Sequence, residues 1–410
     1  MVSTPPLRAA SAFLQTIVVL WFAGFAMRVT LLAIPPVLPQ LQHALALTQT
    51  EVGVLSGLPT LLFAVVAIPG AALIAHFGVR ATLLLGLLVT ALAGAARALS
   101  PDSLALFAAT LVMSAGIAII QPAMPPLVRA WAPKRVNMAT AVYSNGMLCS
   151  EAIAAALTIP LVLPLLDGSW RWALVFWSLP VIVAGALVAW HSRRHSADPV
   201  AAGTAAEQAR HARWWPDWRD ARMWKLGIVT GAGSAIFYTV NGFLPGYLTH
   251  TGQGDWLNAG LAALNLGQIP PTLALLFAGK QLGLKRSSYV VVGVIATLSL
   301  IGVVTTTGAW MIAWCALAGA CCGFIITLGF ALPALLAEPG DVHRLAGAMI
   351  AVAYFIATLA PVAGGISWDA TQQPAMAFAP AIVAAIAISA VGALLPHAPR
   401  PATRTAPAEH

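Results

Sequence analysis

Two ionisable side chains stand where hydrocarbon is expected. Arg28 lies inside the apolar run TIVVLWFAGFAMRVTLLAIPPVL, and Glu151 follows YSNGMLCS in another. A cation near a bilayer centre costs roughly 2.5–3.5 kcal/mol on insertion scales, so it persists only where it faces a polar cavity, a partner or a substrate. An arginine offers a planar fork of donors that suits an anionic group. A carboxyl group away from water can exchange a proton or compete for the same cation. Two readings stay open. In one, Arg28 and Glu151 neutralise each other and hold part of the bundle together. In the other, Arg28 binds an anionic group and Glu151 is the proton-coupling acid. All nine histidines fall in loops, tails or segment ends, His43, His191 and His250 among them, so none replaces Glu151 at depth.

Further polar groups interrupt other apolar runs: Gln121; Tyr143, Ser144 and Asn145; Tyr238 and Asn241; Asn265 and Gln268; Tyr354. An amide in lipid is costly unless it faces a partner or a cavity. Each of these serves either as an interhelical hydrogen bond, worth roughly 0.6 kcal/mol, or as a hydrogen-bonding contact for a solute. Asn265 and Gln268 lie three apart and share one helix face.

The elements that carry these groups are membrane helices. Hydrophobic residues make up 60% of the 410, charged residues 8%, and mean hydropathy is +0.85. A soluble domain carries about 25% charged residues. About twelve apolar segments are long enough to span: 13–38, 52–75, 80–99, 103–130, 138–165, 171–190, 224–249, 256–279, 287–307, 309–335, 344–366 and 375–395. Backbone groups in lipid must be satisfied within the segment, so the fold is expected to be all-α and polytopic. The first segment lacks a small-residue cleavage site and reads as a helix rather than a signal peptide. Arg28 and Glu151 each sit about 20 Å along their helices, near the midplane.

Alternate connections hold nearly all the Lys and Arg: Arg80; Arg129, Lys134 and Arg135; Arg193 to Lys225; Lys280, Lys285 and Arg286; Arg344. The tails add Arg8, Arg400 and Arg404, and the opposite connections hold only Arg97 and Arg171. The positive-inside rule then places both termini in the cytoplasm. The net charge of +8 is this surplus beside anionic lipid headgroups. It predicts no nucleic-acid partner, because no soluble basic domain exists to hold one. Cys149, Cys315, Cys321 and Cys322 read as packing residues without metal or redox spacing. No phosphate-binding GxxxxGK[ST], nucleophile–base pair or metal set is present, so neither an ATPase nor another enzyme is expected, and no cofactor. A channel filter is also missing.

The chain repeats itself at a shift of about 205–207 residues. Pro39 in VLPQL falls on Pro245 in FLPGY, HFGVR on QLGLK, and Gly116 and Pro126 on Gly323 and Pro333. This predicts two six-helix halves in one orientation, 1–190 and 224–410, joined by a polar cytoplasmic linker over 191–223. WWPDWRDARMW in that linker reads as an amphipathic interfacial segment. Pro35, Pro36 and Pro39 are expected to close the first helix. Pro122, Pro125 and Pro126 are expected to interrupt the fourth, and Pro245 the seventh.

MRVTLLAIPPVLPQL, GIAIIQPAMPPLVRAWAP, YSNGMLCSE, NGFLPGYL and LNLGQIP together resemble the major facilitator superfamily, in its cyanate-permease-like and 2-nitroimidazole-transporter branch. Gly78 and Arg80 of the family's loop signature are present. Ala75 stands at the usual acidic position, so the acid-based cytoplasmic latch does not carry over. The resemblance implies substrate at the interface of the halves near the midplane. It places the first and fifth helices on one side of the cavity. The expected site is then one cation and one acid, Arg28 and Glu151, facing a largely neutral wall. That wall draws on Gln121, Tyr143, Asn145, Tyr238, Asn241, Asn265, Gln268 and Tyr354. Such a site suits a small monoanion or zwitterion better than a dianion. The expected protein is a monomeric secondary transporter of the inner membrane, moving a small anionic or polar solute by proton-coupled alternating access. Efflux of a neutral aromatic or drug-like solute, or a solute sensor on the same scaffold, are the alternatives. Single cysteines at positions 194 and 286, in a background without the native ones, should react with impermeant thiol reagents only from the cytoplasmic side. Labelling from the outside would overturn the topology.

Overall fold

The structure, a computed structural model, describes residues 6–194, 218–275, 285–336 and 342–395. Residues 195–217 of the expected linker lie outside them, as do Lys280, Arg400 and Arg404. Among the described residues there is no strand, and eleven helices are long and apolar enough to cross a membrane. They are α1 (Phe13–Leu45), α2 (Gln49–Val66), α3 (His76–Leu99), α4 (Ser103–Trp131), α5 (Val136–Leu165), α6 (Trp170–Arg193), α7 (Ala221–His250), α9 (Arg286–Thr305), α10 (Gly308–Leu332), α11 (Leu345–Thr371) and α12 (Pro374–Gly392). The expected eighth helix, α8, runs over Leu257–Gly267 and resumes at 269–275, where the described stretch ends.

The helices differ in how they meet their surroundings. α7 is buried along nearly its whole length, from Leu226 to Leu248. α9 presents Val291, Val294, Leu298 and Ile301 outward at three- and four-residue spacing. In water such a stripe would be an aggregation hazard; in a bilayer it is the lipid-facing side.

Apolar burial does not drive helices together inside hydrocarbon, so close packing must do so, and small residues permit it. A side chain on Gly24 of α1 would collide with the Tyr143 carbonyl of α5, and one on Gly146 with the Trp21 carbonyl. The same crossing recurs between α7 and α11, where Gly231 lies against Ala353. Both partners stand 207 residues beyond Gly24 and Gly146 in the chain. The internal repeat is thus a repeat of helix crossings.

The prolines act differently from expectation. α1 does not close at Pro35 and Pro36. It breaks earlier, in a turn at Met27 and Arg28, tightens over Pro35–Val37, and resumes as helix over Leu38–Leu45. Arg28 N–H bonds to the Phe25 carbonyl three residues back rather than four. Pro35 and Pro36 lack the N–H that would continue the ladder. α4 and α7 run through Pro122, Pro125, Pro126 and Pro245 as unbroken helix. A proline removes one backbone bond; at Pro245 the burial of α7 on all sides offsets that loss, whereas Pro122, Pro125 and Pro126 stand on a helix that is only partly buried. α2 and α3 are joined by helical backbone, broken only where Gly78 takes φ +81°.

One face of the bundle is sealed. Gly53 of α2 lies against the Pro361 carbonyl of α11, and Gly57 against Thr358, whose hydroxyl is 2.8 Å from that of Thr60. At the rim, the Asp369 carboxylate accepts from the backbone N–H of Gln49 (3.1 Å) and Thr50 (2.7 Å) and from the Thr50 hydroxyl (2.6 Å). A carboxylate from the end of α11 therefore caps the start of α2, complementing the partial positive charge there. The connections on this face are the ones poor in Lys and Arg. Asp369→Ala should lower stability by roughly 1.5–3 kcal/mol, the worth of hydrogen bonds to a charged group. The measurement is thermal unfolding of the purified protein, and an unchanged Tm would remove Asp369 from the seal.

Candidate functional site

The break in α1 puts Arg28 at the inner end of a cavity of about 570 Å³. α5 supplies one wall as a stripe at helical spacing: Asn137, Thr140, Ser144, Asn145, Leu148 and Glu151. Across from it stand Ser234, Phe237 and Tyr238 of α7, Gln268 and Thr272 on the α8 stretch, Thr327 and Phe330 of α10, and Tyr354 of α11. The cavity runs from Arg28 toward the start of α5, the far end of α8 and the end of α10. Those ends carry the basic connections, opposite the sealed face.

Arg28 and Glu151 meet. The Arg28 Nε lies 3.6 Å from the Glu151 Oε1, beyond hydrogen-bond reach, and this Nε has no hydrogen-bond partner. The guanidinium donates instead through Nη1 to the Tyr238 hydroxyl at 2.7 Å. Its carbon sits 5.3 Å from the ring centroid of Phe63, which is itself edge-on to Tyr354. A cation over an aromatic face is attracted by the ring quadrupole. The other Glu151 oxygen accepts from the Gln268 amide at 3.3 Å. One cation and one acid from α1 and α5 thus face a phenol from α7 and an amide from the α8 stretch.

The remaining sequence candidates divide. Asn145 and Tyr354 line the cavity, and Asn145 also accepts from the Trp21 indole at 3.0 Å. Asn265 does not line it; its amide donates to Asn241 at 3.0 Å and to the Leu261 carbonyl, while Asn241 donates to the Phe237 carbonyl. These two asparagines cross-link α7 and α8. The shared face of Asn265 and Gln268 is therefore split between a structural bond and the cavity. Gln121 and Tyr143 are not among the lining residues; Tyr143 packs beside the core at the α1–α5 crossing. Asn137, Thr140, Ser234, Thr272 and Thr327 are lining residues that sequence reasoning passed over. For Asn137 and Thr140 a signal existed, since with Ser144 and Glu151 they form one polar stripe on α5.

Arg97 corrects the expectation that Arg28 and Glu151 are the only charged groups in the interior, with Arg97 left in a connection. It is fully buried, and its Nη2 donates to the Thr30 carbonyl at 2.8 Å. That carbonyl is free because the Ile34 N–H turns to Leu31 in the tightened stretch before Pro35. His191, expected at a helix end, is also wholly buried there, 3.2 Å from the Thr16 hydroxyl.

Comparison with known proteins agrees with this architecture. The Major Facilitator Superfamily model matches residues 20–280, and the chain belongs to that family. It is therefore a multi-pass membrane transporter of small solutes. It is 28% identical over 349 residues to the 2-nitroimidazole transporter of Escherichia coli (strain K12), covering 84% of this chain and 86% of that one. It is 25% identical over 356 residues to the cyanate transport protein CynX of the same organism, covering 85% and 89%. In fold it matches the peptide transporter POT in complex with sulfate, with TM-score 0.71 at 12% identity over 93% of each chain. The inward-open xylose transporter XylE from E. coli matches with TM-score 0.68 at 9% identity, over 91% of this chain and 94% of that one.

Removing one member of a buried ion pair costs more than removing both, because the survivor is left uncompensated. Arg28→Ala should destabilise the protein by roughly 3–5 kcal/mol, and Arg28→Ala/Glu151→Ala should recover most of that loss. Thermal unfolding of the two purified variants decides it. A double variant no more stable than the single one would mean the groups do not pair.

Proposed function

We propose that the protein is a secondary transporter of the inner membrane. It carries a small solute with an anionic or strongly polar group by alternating access, coupled to protons. The observation that carries this reading is the loose Arg28–Glu151 pair. A permanent structural pair would be close and hydrogen-bonded on both sides. Here the Arg28 Nε has no hydrogen bond and both groups line an open cavity. An incoming anionic group competes with Glu151 for the guanidinium. Once displaced, the carboxylate loses its counter-ion while still largely buried, and taking up a proton removes the cost of its charge. Solute and proton would then travel together. On this reading the cavity faces the cytoplasm, the termini are cytoplasmic, and 1–190 and 224–410 rock about the site across the 191–223 linker.

The walls add a requirement. Phe237, Phe330, Met147, Leu148 and Leu273 line much of the cavity. Its volume falls in the range of sites for organic ligands, about 300–1,000 Å³. The solute therefore combines a polar head for Arg28 with an apolar or aromatic body. The same apolar wall favours a second reading, transport of a neutral nitroaromatic whose nitro oxygens accept from Arg28. The relative named as a 2-nitroimidazole transporter supports it; the one named as a cyanate transport protein supports the anionic reading.

A thermal-shift screen against cyanate, small aliphatic and aromatic carboxylates, amino acids and nitroaromatics separates the two readings. With a hit in hand, Arg28→Lys should weaken binding roughly tenfold or more, because it keeps the charge and loses the planar fork. Glu151→Gln should still exchange the solute in proteoliposomes and should fail to accumulate it under a pH gradient. Undiminished accumulation by that variant would remove Glu151 from the coupling.

A further inference from the structure

Two cations without a carboxylate stand beside an aromatic floor at the end of the bundle that carries the basic connections. The cavity there, of about 280 Å³, is lined by Phe13 of α1, by Trp131 of α4, and by Ala132, Pro133, Lys134 and Arg135 of the α4–α5 connection. Lys134 and Arg135 are exposed. Among the described residues the ion pairs are Arg28–Glu151 and Arg222–Asp220, so neither of these cations is neutralised. The first turn of α5, which follows at once, holds no acid either. The Arg135 guanidinium carbon lies 4.6 Å from the centroid of the Phe13 ring. A ring contact of that kind orients a guanidinium and leaves its charge in place. The Trp131 ring is itself braced, meeting the His191 ring edge-on with centroids 4.7 Å apart.

The level of this cavity follows from the helices that end at it. The apolar span of α1 begins at Phe13 and that of α4 ends at Trp131. The cavity therefore lies where hydrocarbon gives way to headgroups, a level that tryptophan favours. Leu14 and Val18, one turn apart on α1, and Met138 of α5 are exposed apolar side chains close by in the chain. α1 and α5 are neighbours, since Gly24 lies against the Tyr143 carbonyl. A charged head and an apolar body are thus both provided for. The volume is several times one water's share of the liquid, about 30 Å³, so a polar group of several heavy atoms fits. A free phosphate would use the cations and leave the two rings idle. A phosphodiester carried on acyl chains uses both.

We propose that this cavity binds the headgroup of an anionic phospholipid from the adjacent leaflet. Lys134 and Arg135 supply charge-assisted hydrogen bonds to the phosphate oxygens. The Phe13 and Trp131 rings carry the glycerol region, and the acyl chains run past Leu14, Val18 and Met138. A zwitterionic lipid brings its own cation to the site, and the two basic side chains repel it. Asn137 and Thr140, in the first turns of α5, line the large cavity, so the lipid is held beside that cavity's basic end. The site does not depend on which solute the large cavity takes.

The test measures thermal unfolding of the purified, delipidated protein in detergent with added dioleoyl phosphatidylglycerol, dioleoyl phosphatidylcholine or sodium phosphate. A ligand that binds only the folded state raises the Tm. Phosphatidylglycerol should raise that of the wild type by several degrees, and the other two additions should not. Lys134→Gln/Arg135→Gln should abolish most of the shift; both residues are exposed, so the variant keeps its fold. Arg80→Gln/Lys285→Gln removes the same charge from other basic connections and should keep the shift. Equal shifts with the two lipids, a shift kept by Lys134→Gln/Arg135→Gln, a shift lost to the same degree in Arg80→Gln/Lys285→Gln, or the same shift from phosphate alone would each overturn the proposal.

Discussion

A guanidinium in hydrocarbon must be accompanied, and the company Arg28 keeps organises the centre of this bundle. Arg28 has five donors and a delocalised charge. The structure answers them with a phenol from α7, a carboxylate from α5 and an aromatic face from α2. No single helix could supply these groups, because one helix presents its side chains over too narrow an arc. Five helices must therefore converge on one point, and the cavity is the space their convergence leaves. The partners come from α1, α2 and α5 on one side and from α7 and the α8 stretch on the other. Any relative movement of those groups of helices changes what surrounds the charge.

Packing in lipid imposes the second constraint. Backbones approach closely where residues are small, and the crossing of α1 with α5 is repeated at α7 with α11 by residues 207 positions later. The charges are not repeated. The positions equivalent to Arg28 and Glu151 are Ala235 and Thr358, and Thr358 lies in the α2–α11 seal. The duplicated framework is thus one of contact geometry, on which one half carries the ionisable chemistry and the other the neutral wall and part of the closure.

Legibility in the sequence follows the physics of each signal. Arg28 and Glu151 stood out because a charge in an apolar run has few inexpensive explanations. The amides were harder, since an asparagine facing a cavity and one facing another asparagine have the same composition around them. Only the fold shows that Asn265 turns to Asn241 while Gln268, one helical turn on, turns to Glu151. Arg97 was misread for a related reason. A long side chain at the end of a segment reaches water or the interior with equal ease, and its acceptor, the Thr30 carbonyl, exists only because the ladder of α1 is disturbed before Pro35.

Composition and periodicity alone determined that this chain is an all-helical, multi-pass membrane protein built on an internal repeat. Those properties depend on quantities summed along the chain: the apolar length needed to span, the satisfaction of backbone groups within a helix, and the recurrence of small residues and prolines. Tertiary structure alone decided where α1 breaks, which polar groups meet, and which face is sealed. These depend on contacts between residues far apart in sequence, Arg28 with Tyr238 and Thr50 with Asp369 among them. A buried polar group takes whichever partner the fold brings within about 3 Å, and no local pattern records which one that is.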